Sequence, residues 1–190
     1  MRQRRFETDR TILRPIEADD AERVQELLNA PGIIGRRHMA EQIPDVAPLS
    51  RLQVEKLLGM WAEEKKGFTL GIELRQESVL VGHASCNWRW DAHCPEIGVT
   101  VCPGFQREGV GSEVVRLLLA YLFGNTPAHN VGGWVEGWNN EGIAFARSLG
   151  FSESGRIPRC GIRDGTFFEQ ILFDILRPEW RAWSGGSRGA

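Results

Sequence analysis

Gln106-Arg107-Glu108-Gly109-Val110-Gly111 is the segment whose residue types and spacing most plainly suit chemistry. It follows an apolar run with strand character and opens a run with helical character. The first amides of a helix lack intrahelical acceptors and carry partial positive charge. A glycine-containing turn lets the backbone approach a ligand closely. Together they make a cradle for phosphate oxygens that needs no lysine. The competing reading gives Gly109 and Gly111 only a tight turn or close helix–sheet packing. A Walker loop is excluded, because its G-x-x-x-x-G-K-[ST] pattern is absent. A dinucleotide fingerprint fits poorly, because the three-glycine pattern and a preceding βαβ unit are missing.

The elements that must hold this segment follow from periodicity. Thr11-Ile12-Leu13-Arg14 reads as a strand closed by Pro15. Asp19 or Asp20 then caps a helix to about Asn29, with Ala21, Val24, Leu27 and Leu28 on one face. Residues 30–49 hold Pro31, Gly32, Gly35, Pro44 and Pro48 and read as loop or broken helix. Ser50 and Gln53 have capping-box spacing ahead of a helix that stops near Gly67. Period-two patterns predict strands at 68–74, 79–88, 96–101 and 131–136, and a closing pair at 151–160 and 166–176 around the hairpin signal Asp164-Gly165. Helices are predicted over 109–123 and 141–149. The order is β-α-α-β-β-β-α-β-α-β-β, an α/β (α+β) class. Residues 1–183 read as one domain and 184–190 as a disordered tail.

Composition narrows the function classes. The 190 residues carry a formal net charge of −2, without the basic excess of a dedicated nucleic-acid binder. No apolar run approaches the roughly 18 residues that would span a bilayer. The basic start, Met1 to Phe6, leads into Glu7 and Asp9 rather than an apolar stretch, which does not fit a signal peptide. A cytoplasmic protein with neither nucleic-acid nor membrane partner is expected. Cys86, Cys94, Cys102 and Cys160 form no C-x-x-C pair. His83 and Cys86 are an odd number of residues apart in a strand and point to opposite faces, so no metal site is expected.

Gln-x-x-Gly-x-Gly after an apolar strand resembles the pyrophosphate-binding signature of the GNAT superfamily of N-acetyltransferases. Leu13-Arg14-Pro15 with Asp19-Asp20 is similar to that family's opening strand and helix. Asn139-Asn140-Glu141-Gly142 leading to Leu149-Gly150-Phe151 is similar to its Asn-x-x-Ser/Ala…Leu-Gly-Phe segment. Arg163-Asp164-Gly165 through Leu176 to Trp180 resembles the closing hairpin of the RimJ/RimL branch, the ribosomal-protein acetyltransferases. The resemblance runs over roughly residues 10–183 in consistent order. It implies a GNAT fold with a mixed, mostly antiparallel sheet splayed between its fourth and fifth strands.

The resemblance also implies roles. Acetyl-coenzyme A is the expected cofactor, with Val99, Thr100 and Val101 offering backbone contacts near the thioester. Gln106, Arg107, Glu108, Gly109, Val110, Gly111 and Ser112 would hold the pyrophosphate, and Asn139 would contact the cofactor's arm. The acceptor is an amine, on a small molecule or at a protein N-terminus, and it must lose a proton before it attacks. Glu96 is the first candidate base and Glu136 the second. Each has a competing reading, as a strand-end salt-bridge residue or an exposed charge. The family's usual acids are replaced here: Ala146 stands where many relatives place Tyr, and Gly142 where RimL-like relatives place Ser. That keeps a second reading open, a non-catalytic acyl-CoA binder or sensor of the same fold.

Acceptor contacts are expected from Arg36, Arg37 and His38 in the loop after the first helix. Trp88 and Trp90 before Glu96, and Trp134 and Trp138 around Glu136, are expected to add aromatic walls. The competing view is that the tryptophans are core and the arginines solvated. Relatives of this kind are often dimers, and a homodimer is left open.

Overall fold

The computed structural model describes residues 6–33, 47–88 and 91–186. Its elements are β1 (Thr11–Pro15), α1 (Ala21–Leu28), α2 (Arg51–Glu63), β2 (Gly67–Leu74), β3 (Val79–Asn87), β4 (Glu96–Val101), α3 (Val110–Asn125), β5 (Asn130–Glu136), α4 (Asn140–Ser148), β6 (Ser152–Arg163), β7 (Thr166–Leu176) and α5 (Arg177–Gly186). The strands are hydrogen-bonded in the order β1-β2-β3-β4-β5-β7-β6. β1–β2, β5–β7 and β6–β7 pair antiparallel, and β4–β5 pairs parallel at Glu96 opposite Gly132. The chain groups into two compact units. One takes the residues up to Cys86 with Val99–Leu117, and the other takes Asn87–Gly98 with the residues from Leu118 on. Among the described residues no helix is long and apolar enough to cross a membrane.

In the first unit, the apolar stripes of two helices make the core. Val24, Leu27 and Leu28 of α1 cluster with Val54 and Leu57 of α2, Leu49 and Leu80, and Leu58, Trp61 and Cys102 pack against them. Ser50 and Gln53 complete the capping box that starts α2: Gln53 N donates to Ser50 Oγ at 3.3 Å and Ser50 N donates to Gln53 Oε1 at 2.9 Å. The helix ends at Glu63, short of the expected Gly67, which begins β2. The Leu-Arg-Pro…Asp-Asp stretch has a structural role. Arg14 donates to both carboxylate oxygens of Asp20, at 2.7 and 2.8 Å, and to Glu73 at 2.5 Å. This fork ties β1 to the start of α1 and to β2, and the guanidinium holds the Asp20 carboxyl below its ordinary range.

In the second unit, Val131 of β5 and Ile171, Phe173 and Ile175 of β7 are buried, as period-two alternation requires. Asp164 and Gly165 both take left-handed φ values, 49° and 74°, in the two-residue turn between β6 and β7. Sequence reading missed α5. Its signal was present in Pro178 and Glu179 of the first turn, and Glu179 Oε2 accepts from Leu176 N at 2.8 Å. The helix carries residues 184–186, which the sequence reading put in the tail. Trp180 stacks on Trp183 and on Phe123, and Arg177 donates to the carbonyls of Phe123, Thr126 and Ala128 where the chain leaves α3.

Candidate functional site

The loop between β4 and α3 lies wholly within the first unit. Cys102 N donates to Val81 O at 2.8 Å and anchors the end of β4 against β3. β3 and β4 approach closely at Gly82, where an added Cβ would fall 2.2 Å from the Thr100 carbonyl oxygen. A single 3-10 turn over Pro103–Phe105 follows, and Gln106 Nε2 reaches back to Val101 O at 2.7 Å. The Gln of the motif thus fastens the loop to the strand it leaves. Arg107 and Gly109 adopt positive φ, 64° and 87°. Among the described residues a Cβ at Gly109 would meet nothing within 4 Å, and what calls for glycine there is the backbone angle. α3 then starts at Val110, so the amides of Val110, Gly111 and Ser112 lie in the turn that has no intrahelical acceptor. Glu113, the acidic residue of that turn, is engaged elsewhere: it accepts from Thr8 Oγ1 at 2.9 Å and pairs with Arg10 at 3.5 Å. The result is an open, donor-rich backbone surface that suits a pyrophosphate.

The second unit holds a carboxylate-lined cavity of its own. Trp134 Nε1 donates to Glu96 Oε1 at 3.0 Å. No ion pair reaches Glu96 among the described residues, so its partner is an indole and the salt-bridge reading finds no support. Register explains the meeting. Glu96 of β4 stands beside Gly132 of β5, and Trp134 lies two residues on, on the same face. Glu136 follows two residues later on that face, opposite Gln170 of β7. A cavity of about 260 Å³ is lined by Cys94, Glu96, Asn130, Gly132, Trp134, Leu172 and Asp174. Sequence reading missed Asn130, Gly132 and Asp174. The available signal was a carboxylate inside the apolar run Ile171-Leu172-Phe173-Asp174-Ile175.

Trp138 belongs to a different place. The Arg163 guanidinium sits 3.9 Å from its ring centroid and Phe168 meets it edge-on. These residues line a cavity of about 680 Å³ beside the β6–β7 hairpin, so the structure does not bring Trp138 together with Glu96 and Trp134. Trp88 follows β3 and is partly buried. Arg36, Arg37, His38 and Trp90 lie outside the described residues.

Asn139 caps α4, its Oδ1 accepting from Gly142 N at 3.0 Å. That cap bears on the missing acid. A Cβ at Gly142 would fall 2.6 Å from Asn139 Nδ2 and 3.0 Å from Val135 Cγ1. A side chain at 142 would make the capping amide of Asn139 shift, and the absence of one leaves the cap in place.

The model of the acetyltransferase (GNAT) domain family matches residues 10–152. The chain is 26% identical over 180 residues to the uncharacterized N-acetyltransferase YoaA of Bacillus subtilis, covering 91% of this chain and 97% of that protein. Among solved structures it resembles a GNAT-family acetyltransferase from Bacillus anthracis, with a TM-score of 0.76 at 20% identity, covering 90% of this chain and 98% of that one. It also resembles the spermidine/spermine N-acetyltransferase SpeG of Vibrio cholerae, with a TM-score of 0.74 at 19% identity, covering 93% and 99% of the two chains. With the expected fold present and the family model spanning most of its length, the chain belongs to the GNAT acetyltransferase domain family.

Proposed function

We propose that this protein moves an acetyl group from acetyl-coenzyme A to an amine by direct attack, with Glu96 as the general base. The observation that carries the reading is the loop at 106–112, whose open, left-handed Gly109 and following helix start offer backbone donors at the motif position. Bound acetyl-coenzyme A would supply an activated acyl carbonyl. The backbone of Val99–Val101 would align its arm and offer an amide to the carbonyl oxygen. Gln106 to Ser112 would fix the pyrophosphate. Glu96, oriented by Trp134, would accept the proton of the attacking amine, and the nitrogen–carbon bond would form as the carbon–sulfur bond breaks, with coenzyme A leaving as its thiolate and taking a proton from water. Glu136 shares the strand face of Trp134 and is the second candidate for that proton. Asn139 is engaged as a helix cap, and we assign it that role ahead of cofactor contact.

Calorimetry with acetyl-coenzyme A and coenzyme A tests the cofactor half. Micromolar binding is expected, weakened about tenfold or more in Gly109→Val, since a β-branched residue is strained at this φ. Absence of binding by folded protein would reduce the loop to a structural turn. An amine panel read by thiol release tests the transfer half. Binding without turnover on any amine would favour the non-catalytic acyl-CoA binder, the reading that Gly142 and Ala146 keep alive.

A further inference from the structure

We infer that the cavity between Glu96 and Asp174 recognises a second cationic group on the acceptor, so that the preferred substrates are diammonium compounds. The inference rests on the acetyltransferase reading and names the substrate class of that site.

The geometry is a row across three strands. Glu96 pairs with Gly132, and Gly132 pairs with Asp174, so the three face the same way. The outer two are carboxylates and the middle residue has no side chain. Two strand spacings separate the outer backbones, about 9–10 Å. The gap over Gly132 is part of the cavity of about 260 Å³, with Asn130, Trp134 and Leu172 on its walls.

Donors and acceptors are out of balance there. Trp134 Nε1 is spent on Glu96, and Asn130 Nδ2 is spent on Asp174 at 3.3 Å. The remaining polar capacity is almost all acceptor: two carboxylates and Asn130 Oδ1, a buried atom with no hydrogen-bond partner among the described residues. Among the described residues no Lys, Arg or His lines the cavity and no ion pair reaches either carboxylate. A buried oxygen without a donor is costly, and paired carboxylates without a counter-charge repel. One ligand type answers both deficits, an alkylammonium with several N–H donors and a methylene stem to lie against Trp134 and Leu172. With the reacting nitrogen at Glu96, Asp174 takes the far ammonium. Asp174 is then a specificity residue, and Gly132 keeps the passage between the carboxylates open.

The experiment compares putrescine with n-butylamine as acceptors, by thiol release, in wild type, Asp174→Asn and Gly132→Ala. Asn retains an oxygen for Asn130 Nδ2. The alanine methyl would meet Leu172 Cδ1 and Phe173 O at 3.5 Å, an ordinary contact, so the variant narrows the passage without strain. Wild type is expected to favour the diamine in kcat/KM, and each variant is expected to lower the diamine-to-monoamine ratio by roughly 10- to 100-fold, through putrescine KM. A wild-type ratio near one, or a ratio unchanged in both folded variants, overturns the inference. If no amine is acetylated, putrescine calorimetry decides. Binding lost in Asp174→Asn keeps the cavity assignment and removes only the transferase reading, whereas no binding to wild type overturns the assignment.

Discussion

The loop at 106–112 and the cavity at Glu96 are built in opposite ways. The loop uses backbone: a left-handed glycine, a helix start and a Gln side chain bonded to the strand it has just left. All its parts lie within a few residues of one another. The cavity uses side chains from β4, β5 and β7, from Cys94 to Asp174 in sequence, set in one row by strand register. A backbone-built surface suits the part of a ligand that is always the same, because amides cannot vary. A side-chain-built surface suits the part that differs among relatives, because one substitution alters it without disturbing the fold.

The largest expected effect separates the two regions. Glu96→Gln should lower kcat by roughly 10²- to 10⁴-fold, the usual range for loss of a general base, with little change in acetyl-coenzyme A affinity. Steady-state kinetics beside calorimetry reads both, and a matching loss of cofactor binding would merge the regions. Gly82→Ala attacks the backbone side. Its Cβ would press on the Thr100 carbonyl at 2.2 Å, so the strands must part, at a cost of about 2–3 kcal/mol in urea unfolding. Acetyl-coenzyme A affinity should fall with it if Val99–Val101 carry the cofactor's arm.

A pH effect of intermediate size comes from His83 of β3. Its ring lies 5.1 Å from that of Trp61, and burial pushes its pKa down from 6.5 to about 4. Between those values the unfolded chain binds more protons than the folded one, so stability falls as pH drops from about 6.5 toward 4. The side chain keeps part of its surface in water, so about 1–2 kcal/mol is expected, read by unfolding at neutral and acid pH. His83→Gln should flatten that dependence. The smallest effect is Asn139→Ala, which removes the α4 cap at a cost of about 1 kcal/mol in thermal or urea unfolding. A cofactor affinity that also fell severalfold would return Asn139 to the cofactor side.

Local features were legible in the sequence because their causes are local. The α1 face of Ala21, Val24, Leu27 and Leu28 is buried as its spacing demanded. The Ser50–Gln53 box and the Asp164-Gly165 turn formed where short-range hydrogen bonding and φ preference put them. Helix α5 was overlooked because the last strand was ended at Leu176 and no element was assigned to the residues after it, where the apolar positions Trp180 and Trp183 do not stripe a full helix.

Sequence by itself thus determined the family, the order of elements as far as β7 and the glycine turn that opens α3, because each depends on residues adjacent in the chain. Tertiary structure alone decided that Trp134 holds Glu96 while Trp138 serves another cavity, and that Asp174 completes a row with Glu96 across Gly132. Those outcomes depend on strand register and on the approach of atoms far apart in the chain. A shift of one residue in β5 or β7 would turn each of these side chains to the other face, and no local pattern records which register is chosen.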